Sequence, residues 1–261
     1  MKKITLAANW KMYLSELNSV AFTKKMNKHK EVLSDKDIIL FPSPACIRSV
    51  KDTLALDNIH VGMQDCDINV DSAVTGGVSI TSIDVDYCIV GHSETRNKTL
   101  IKPVSMVNDN QLMGLKLNNV LVLAGIRGIY CVGETKEERN NGLTESVIND
   151  QLSIFKRGET KTYIDNEELG LSNNLIIAYE PVWSIGSGML PSNDEIYNIL
   201  SLIKNKLNDY CPSANVRLFY GGSVNKDNVD KLLEIDLIDG FLVGSASANF
   251  DSFIEIVKRI K

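Results

Sequence analysis

Eight short apolar runs alternate with segments of helical periodicity, and this rhythm constrains the fold more than any other feature of the sequence. Apolar residues three and four apart recur between the runs, as in Ile196, Ile199, Leu200 and Ile203. Strand and helix alternating eight times, at about 32 residues per unit, predicts an α/β protein with one (β/α)8 barrel spanning residues 1–261. The runs are 4–9, 37–42, 58–63, 86–91, 127–133, 174–179, 215–220 and 238–244.

A doubly wound open sheet is the alternative fold with the same alternation. Such a sheet usually carries a Gly-x-Gly-x-x-Gly loop after its first strand, whereas the first run here ends in Asn9-Trp10-Lys11. The barrel is therefore preferred. Residues 97–109 and 157–173 interrupt the rhythm, and we expect both to be surface excursions because neither shows the composition shift of a second domain.

Charge and composition argue against several kinds of partner. The formal net charge of −5 disfavours non-specific nucleic-acid binding. No apolar run approaches about 18 residues, so no membrane span is predicted, and the start of the chain lacks the features of a signal peptide. Five cysteines without a Cys-x-x-Cys pair, and three unclustered histidines, make disulfides or a metal centre unexpected and suit a reducing cytoplasm.

The run 174–179 ends in a carboxylate, Glu180, followed by Pro181 and a glycine-rich tip, 186–188. Pro181 has no backbone donor and restricts the preceding residue to extended geometry, so Glu180 is predicted at the carboxyl end of a strand. Apolar neighbours would desolvate the carboxylate and favour a role as a base. Trp183 beside flexible glycines predicts a small rigid lid with flexible ends, and the backbone N–H groups of the glycine-rich tip can approach an anion.

Other polar residues follow other strands, and in a parallel barrel the carboxyl ends of the strands meet at one rim. Lys11 supplies a cation, and His92, at the head of a predicted helical turn, supplies a neutral donor. Backbone N–H groups at the rim can bind a phosphate. This combination predicts proton transfer next to a carbonyl in a small phosphorylated sugar. The rim residues are Asn9, Lys11, His92, Glu134, Glu180, Gly186, Ser223, Gly244 and Ser245.

Along nearly its whole length the chain resembles the triosephosphate isomerase family. The resemblance implies a single (β/α)8 TIM barrel without a cofactor, which interconverts D-glyceraldehyde 3-phosphate and dihydroxyacetone phosphate through an enediolate. It also implies a homodimer in the cytoplasm that serves glycolysis, gluconeogenesis and the pentose phosphate shunt. The matching strings are Asn9-Trp10-Lys11-Met12, Gly91-His92-Ser93-Glu94, Cys131-Val132-Gly133-Glu134-Thr135, Ala178-Tyr179-Glu180-Pro181-Val182-Trp183, Tyr220-Gly221-Gly222-Ser223-Val224 and Leu242-Val243-Gly244.

The resemblance also implies a role for each site residue. Lys11 is the electrostatic residue, His92 the electrophile and Glu180 the proton shuttle. Asn9 orients the substrate, and Glu94 braces Lys11. The remaining implied residues receive the phosphate (Gly186, Ser223, Gly244, Ser245), flank the base under the closed lid (Ile185, Leu242) or support the site (Cys131, Glu134, Trp183).

Some positions depart from the family pattern. Gly77 and Thr95 stand where the family usually has a Glu and an Arg that meet across the dimer interface. Because both charges are absent, neither is left uncompensated, and we expect a dimer that still uses the loop tip Thr75-Gly76. The segment Met189-Leu190-Pro191 replaces the usual small-residue lid hinge, and the fixed φ of Pro191 predicts altered lid kinetics with intact chemistry.

Rival functions remain open at the level of sequence. An isomerase of a four-carbon ketose phosphate would need the same rim residues, because they contact the phosphate and the enediolate. A catalytically silent binding barrel would retain the fold without the reaction. A barrel that uses a metal or flavin is disfavoured, because the sequence offers no ligand cluster.

Overall fold

The computed structural model describes residues 2–96, 109–156, 174–212 and 214–260, and its eight strands close into a parallel barrel. Each strand pairs with the next along the chain, and β8 pairs with β1. This closure confirms the predicted (β/α)8 barrel and excludes the open sheet. The strands are β1 Thr5–Asn9, β2 Asp37–Phe41, β3 Ile59–Met63, β4 Tyr87–Val90, β5 Arg127–Val132, β6 Leu175–Tyr179, β7 Arg217–Tyr220 and β8 Gly240–Val243.

Two apolar clusters explain why the strands read as nearly continuous apolar runs. One cluster fills the interior of the barrel and includes Phe41, Ile129, Ile176 and Phe219. The other lies between the strands and the surrounding helices. Side chains on both faces of each strand are thereby removed from water, which is the environment of a parallel strand covered on both sides.

The helices form the outer layer. The longest, α8, begins at a capping box in which Ser192 and Glu195 bond each other's backbone N–H groups. A π-helical segment, Asn119–Leu123, continues α5. The described helices are α1 Glu16–Lys28, α2 Lys30–Leu33, α3 Ile47–Thr53, α4 Ser93–Arg96, α5 Asp109–Asn118, α6 Lys136–Asn140, α7 Thr144–Leu152, α8 Asn193–Tyr210, α9 Val229–Leu232, α10 Ser245–Ala248 and α11 Phe250–Arg259.

The two predicted excursions, 97–109 and 157–173, lie outside the described residues except for Asp109, which begins α5. Within the described ranges, none of the helices is long and apolar enough to cross a membrane. All five cysteines have free thiols and are buried, at positions 46, 66, 88, 131 and 211.

Candidate active site

A cavity of about 230 Å³ opens at the carboxyl ends of the strands. Each of the residues predicted to act on the substrate lines it, together with the two predicted flanking residues. The cavity also contacts Tyr13 and Asn225, which the sequence reasoning did not single out. The predicted residues that line it are Asn9, Lys11, His92, Glu180, Ile185, Gly186, Ser223, Leu242, Gly244 and Ser245.

Glu180 follows β6 directly and is buried. Its backbone N–H donates to the carbonyl of Val132 at 2.7 Å. Two glycines make room for it, because a Cβ at Gly133 would lie 1.8 Å from the Glu180 carbonyl oxygen and one at Gly221 would lie 2.7 Å from its Cγ. The position of the carboxylate is therefore set by the close approach of β5 and β7.

His92 follows β4 and is also buried. Its Nδ1 accepts a hydrogen bond from the backbone N–H of Glu94 at 3.1 Å, within the first turn of α4. A neutral ring that accepts at Nδ1 carries its proton on Nε2. That Nε2 lies 3.3 Å from Oε1 of Glu180, so the donor edge of the imidazole faces the carboxylate.

Lys11 adopts the left-handed backbone region with φ of 47°, which is rare for a residue other than glycine. Its N–H donates to Asn9 Oδ1 at 3.1 Å, and its carbonyl accepts from the Gln64 amide at 2.8 Å. The ammonium lies 2.8 Å from Glu94 Oε1. Side chains thus bond both the N–H and the carbonyl of Lys11, which fixes its backbone in the turn that places the ammonium at the cavity.

Cys131, on β5, lies beside Glu180. Burial raises the pKa of the Cys131 thiol well above its ordinary value, and the neighbouring Glu180 carboxylate adds to this effect. The thiol therefore stays neutral, which spares the site a second negative charge next to Glu180.

Glu134 follows β5 and is buried beneath the start of the lid. Its carboxylate accepts hydrogen bonds from Trp183 Nε1 at 2.8 Å and from the Tyr179 hydroxyl at 3.3 Å. Burial raises the pKa of Glu134, and the hydrogen bond from Trp183 opposes part of that rise. The hydrogen bond to Glu134 therefore holds the Trp183 indole in place at the start of the lid.

The lid crosses from the 3-10 turn Val182–Ser184 to the head of α8. Gly186 and Gly188 have φ of 69° and 75°, which explains the glycines at these two positions. Ser184 forms one hydrogen bond within the lid and one to the segment that follows β7. Its hydroxyl donates to Met189 O at 2.6 Å, and its carbonyl accepts from Ser223 Oγ at 2.5 Å. The Ser223 N–H points at Ser184 Oγ, at 3.3 Å.

The predicted dimer-loop residues lie away from this cavity. Thr75 and Gly76 are exposed, and Gly76 has φ of 80°. A Cβ at Gly77 would lie 3.0 Å from Asp67 Oδ2, so the Asp67 carboxylate lies where a longer side chain would begin. Thr95 donates from its hydroxyl to His92 O at 3.0 Å and so contributes to the α4 turn.

Sequence reasoning missed the residues that hold the site together from a distance. Gln64 and Arg96 are examples: Gln64 holds the Lys11 carbonyl, and Arg96 donates to Cys131 O at 2.7 Å. Neither has a local sequence signal, because each meets its partner only when distant strands are brought together. The two glycines that make room for Glu180 did have a sequence signal, since Gly133 ends one apolar run and Gly221 directly follows another.

Comparison with known proteins gives one consistent family. A sequence model described as triosephosphate isomerase matches residues 4–260. A triosephosphate isomerase of Carboxydothermus hydrogenoformans is 34% identical, with 99% of each chain covered. That of Lawsonia intracellularis is 32% identical over 98% of this chain and 97% of its own. That of Amoebophilus asiaticus is 32% identical over the whole of both chains.

Proposed function

The chain belongs to the triosephosphate isomerase family, and we propose that Lys11, His92 and Glu180 carry the reaction of that family in this protein. The reaction is the interconversion of D-glyceraldehyde 3-phosphate and dihydroxyacetone phosphate through an enediolate. The family match does not favour the four-carbon substrate or the silent barrel.

The three side chains divide the chemistry. Glu180 removes a proton from the hydroxyl-bearing carbon next to the carbonyl and returns it to the former carbonyl carbon. The hydroxyl proton passes to the former carbonyl oxygen, so that the carbonyl moves by one carbon. The Nε2–H of His92 donates to the substrate oxygens, where negative charge develops. The Lys11 ammonium stabilises the same charge and, near Gly244, contributes to binding the phosphate. No metal or cofactor is required for this sequence of proton transfers.

The phosphate site is proposed at backbone N–H groups of residues that line the cavity. Gly186 belongs to the lid, Ser223 follows β7, and Gly244 and Ser245 lie at the head of α10. Backbone N–H groups and glycines suit an anion, because they allow the chain to approach it closely. Asn9 would orient the substrate from β1, and the apolar side chains of Ile185 and Leu242 would exclude water from the base.

The 3.3 Å approach of His92 Nε2 to Glu180 Oε1 in a buried setting carries this assignment. The test is a coupled assay on D-glyceraldehyde 3-phosphate with the wild-type protein and the isosteric variant Glu180→Gln. We expect the variant to lose about 10²- to 10⁴-fold in kcat, the usual contribution of a positioned base. Equal rates for the two proteins would disprove the role of Glu180, and no rate for the wild type would disprove the function.

A homodimer is proposed on the basis of an exposed apolar surface. Met12 and Leu17 are 92% and 83% exposed, and Tyr13, which lines the cavity, lies between them. Exposed apolar side chains in one short segment are typical of a protein interface. A partner's Thr75-Gly76 tip is the proposed occupant, since that loop projects into solvent and is held at its base by the bond from Asp67 N to Val78 O, 2.9 Å. Light scattering that shows a stable, active monomer at micromolar concentration would contradict this proposal.

The pathway assignment follows from the reaction. An enzyme that interconverts these two triose phosphates serves glycolysis, and we propose that it also serves gluconeogenesis and supplies triose phosphate to the pentose phosphate shunt. We further propose a cytoplasmic location, supported by five free thiols in the described chain. Fractionation of the source cells with an antibody against the protein tests the location.

A further inference from the structure

Arg139 lies beside the lid although it belongs to α6, a different part of the chain. Its guanidinium stacks on the ring of Trp183, with 4.2 Å between the guanidinium carbon and the ring centroid. A nitrogen of the same guanidinium lies 2.5 Å from Glu195 Oε1, in the first turn of α8. One side chain therefore contacts both the entry and the exit of the lid.

Trp183 and Glu195, the two residues that Arg139 contacts, are each held by further hydrogen bonds. Trp183 donates its indole N–H to the buried Glu134 carboxylate at 2.8 Å. Glu195 accepts from the backbone N–H and the hydroxyl of Ser192 at 2.8 and 3.0 Å, directly after Pro191. Trp183 is thus bonded to Glu134 at the start of the lid, and Glu195 is bonded to Ser192 at its end. Arg139 contacts both Trp183 and Glu195 and so connects the two ends.

The lid between the two ends has its own internal geometry. Gly186 and Gly188 both adopt left-handed φ values, and the Ser184 hydroxyl bonds Met189 O across the segment. Residues 186–189 are exposed, whereas Ser184 and Pro191 are buried. Movement of the lid is thus expected in the glycine-rich part, with the ends held in place.

We propose that Arg139 is a positioning residue that holds the two ends of the lid in fixed positions relative to each other, so that closure over the substrate is confined to the glycine-rich part. This inference rests on the proposed function, because it assumes that the lid covers the substrate. A lysine could not replace the arginine, since a planar guanidinium can stack on an indole and bond a carboxylate at the same time, whereas an ammonium is a point charge.

The experiment compares wild type with Arg139→Ala, Arg139→Lys and Glu195→Gln. Glu195→Gln breaks only the exit contact, because a Gln oxygen can still accept from Ser192. Arg48→Ala is the matched control: Arg48 is 87% exposed and pairs with Asp52 on the outer surface. Each variant is assayed for kcat and KM, and melting temperature establishes that it folds.

Lid motion is followed by temperature-jump relaxation of tryptophan fluorescence with bound sn-glycerol 3-phosphate, which has the phosphate but no carbonyl to react. Trp183 and Trp10 are the two tryptophans, and a Trp183→Phe variant identifies the lid signal. We expect Arg139→Ala to speed the relaxation and to raise KM by about three- to tenfold, as for loss of a partly exposed cation–π contact and ion pair. Arg139→Lys should lie close to Arg139→Ala, and Glu195→Gln between Arg139→Ala and the wild type.

The control Arg48→Ala should match the wild type in every measurement. The proposal is overturned if Arg139→Ala and Arg139→Lys fold and relax within twofold of the wild type, or if they lose melting temperature with KM and relaxation unchanged. Should Arg139→Ala fail to fold, the Arg139→Lys and Glu195→Gln results decide in the same way. A wild-type protein without isomerase activity would instead count against the proposed function.

Discussion

Nε2 of His92 lies 3.3 Å from Oε1 of Glu180, although the two residues follow strands β4 and β6, which are not neighbours in the barrel. Between them lies β5, and Gly133, directly after this strand, leaves room for the Glu180 backbone, because a Cβ there would lie 1.8 Å from the Glu180 carbonyl oxygen. An imidazole and a carboxylate are thus brought together in a buried pocket, where electrostatic interactions are stronger than in water.

Replacement of His92 by Asn should remove the donor from this pair, because the shorter side chain cannot reach the same position. We expect kcat to fall by about 10²- to 10³-fold, the usual effect of removing one preorganised donor, with a smaller change in KM. Steady-state assays in both directions measure this. His60→Asn is the control, since His60 lies on β3 and pairs with Asp86; a similar loss there would contradict the assignment.

Replacement of Gly133 by Ala should displace Glu180. The added Cβ would lie 1.8 Å from the Glu180 carbonyl oxygen, so the backbone of Glu180 must move. A displacement of about 1 Å costs about 10²-fold in rate, and overpacking costs about 1–3 kcal/mol of stability. Gly114→Ala in α5 is the matched control, because its Cβ would meet Ile154 at an ordinary 3.6 Å. Equal activity in the two variants would show that Gly133 is not needed to position Glu180.

Replacement of Glu134 by Gln should change the pH dependence of stability. The pKa of Glu134 is raised in the folded protein by burial, above its ordinary value of 4.5. The folded state therefore holds this proton more tightly than the unfolded state. The resulting stabilisation is present at low pH and is lost as pH rises through the folded pKa.

A Gln at position 134 does not titrate and can still accept from Trp183. The melting temperature of Glu134→Gln, relative to the wild type, should therefore increase as pH rises from about 4 to 7. Thermal unfolding of both proteins across this range measures the difference. A difference that stays constant with pH would show that Glu134 does not titrate there.

Replacement of Leu17 by Lys should weaken the proposed dimer. A charged side chain in a desolvated interface is unfavourable, so we expect the dissociation constant to rise by about tenfold or more. Size-exclusion chromatography with light scattering across a dilution series measures the shift. Leu143→Lys is the control, because Leu143 is also exposed but lies between α6 and α7. An unchanged dissociation constant for Leu17→Lys would exclude this surface.

Replacement of Pro191 by Ala should alter the lid hinge. Pro191 is buried and precedes the Ser192 cap of α8, so its fixed φ limits the exit of the lid. We expect a loss of about 0.4–1 kcal/mol in stability, because the unfolded chain gains freedom, together with a changed rate of product release. The dependence of kcat on solvent viscosity reports that rate. Unchanged viscosity dependence would remove the basis for an effect of Pro191 on the lid.

The barrel could be predicted because its strands are apolar on both faces and end in recognisable residues. The strand before Glu180 shows this well: the sequence predicts a strand at 174–179, and β6 is Leu175–Tyr179. The rim residues could be predicted for the same reason, since parallel strands carry their following residues to one end.

Other features could not be derived, because they depend on contacts between distant segments. The left-handed backbone of Lys11 is held by Gln64, which is 53 residues away in sequence. The contact between Arg139 and Glu195 spans 56 residues. A periodicity of apolar residues predicts which side of an element is buried, but it does not specify which polar side chain will meet which partner.

The burial of all five thiols has a practical consequence. A thiol reagent can react with the native chain only when a segment opens, and the cysteines lie in five different places: beside α3, after β3, on β4, on β5 and after α8. Labelling followed by mass spectrometry would therefore time the opening of each segment separately. The five native thiols therefore report, without added probes, the order in which the segments of the barrel unfold.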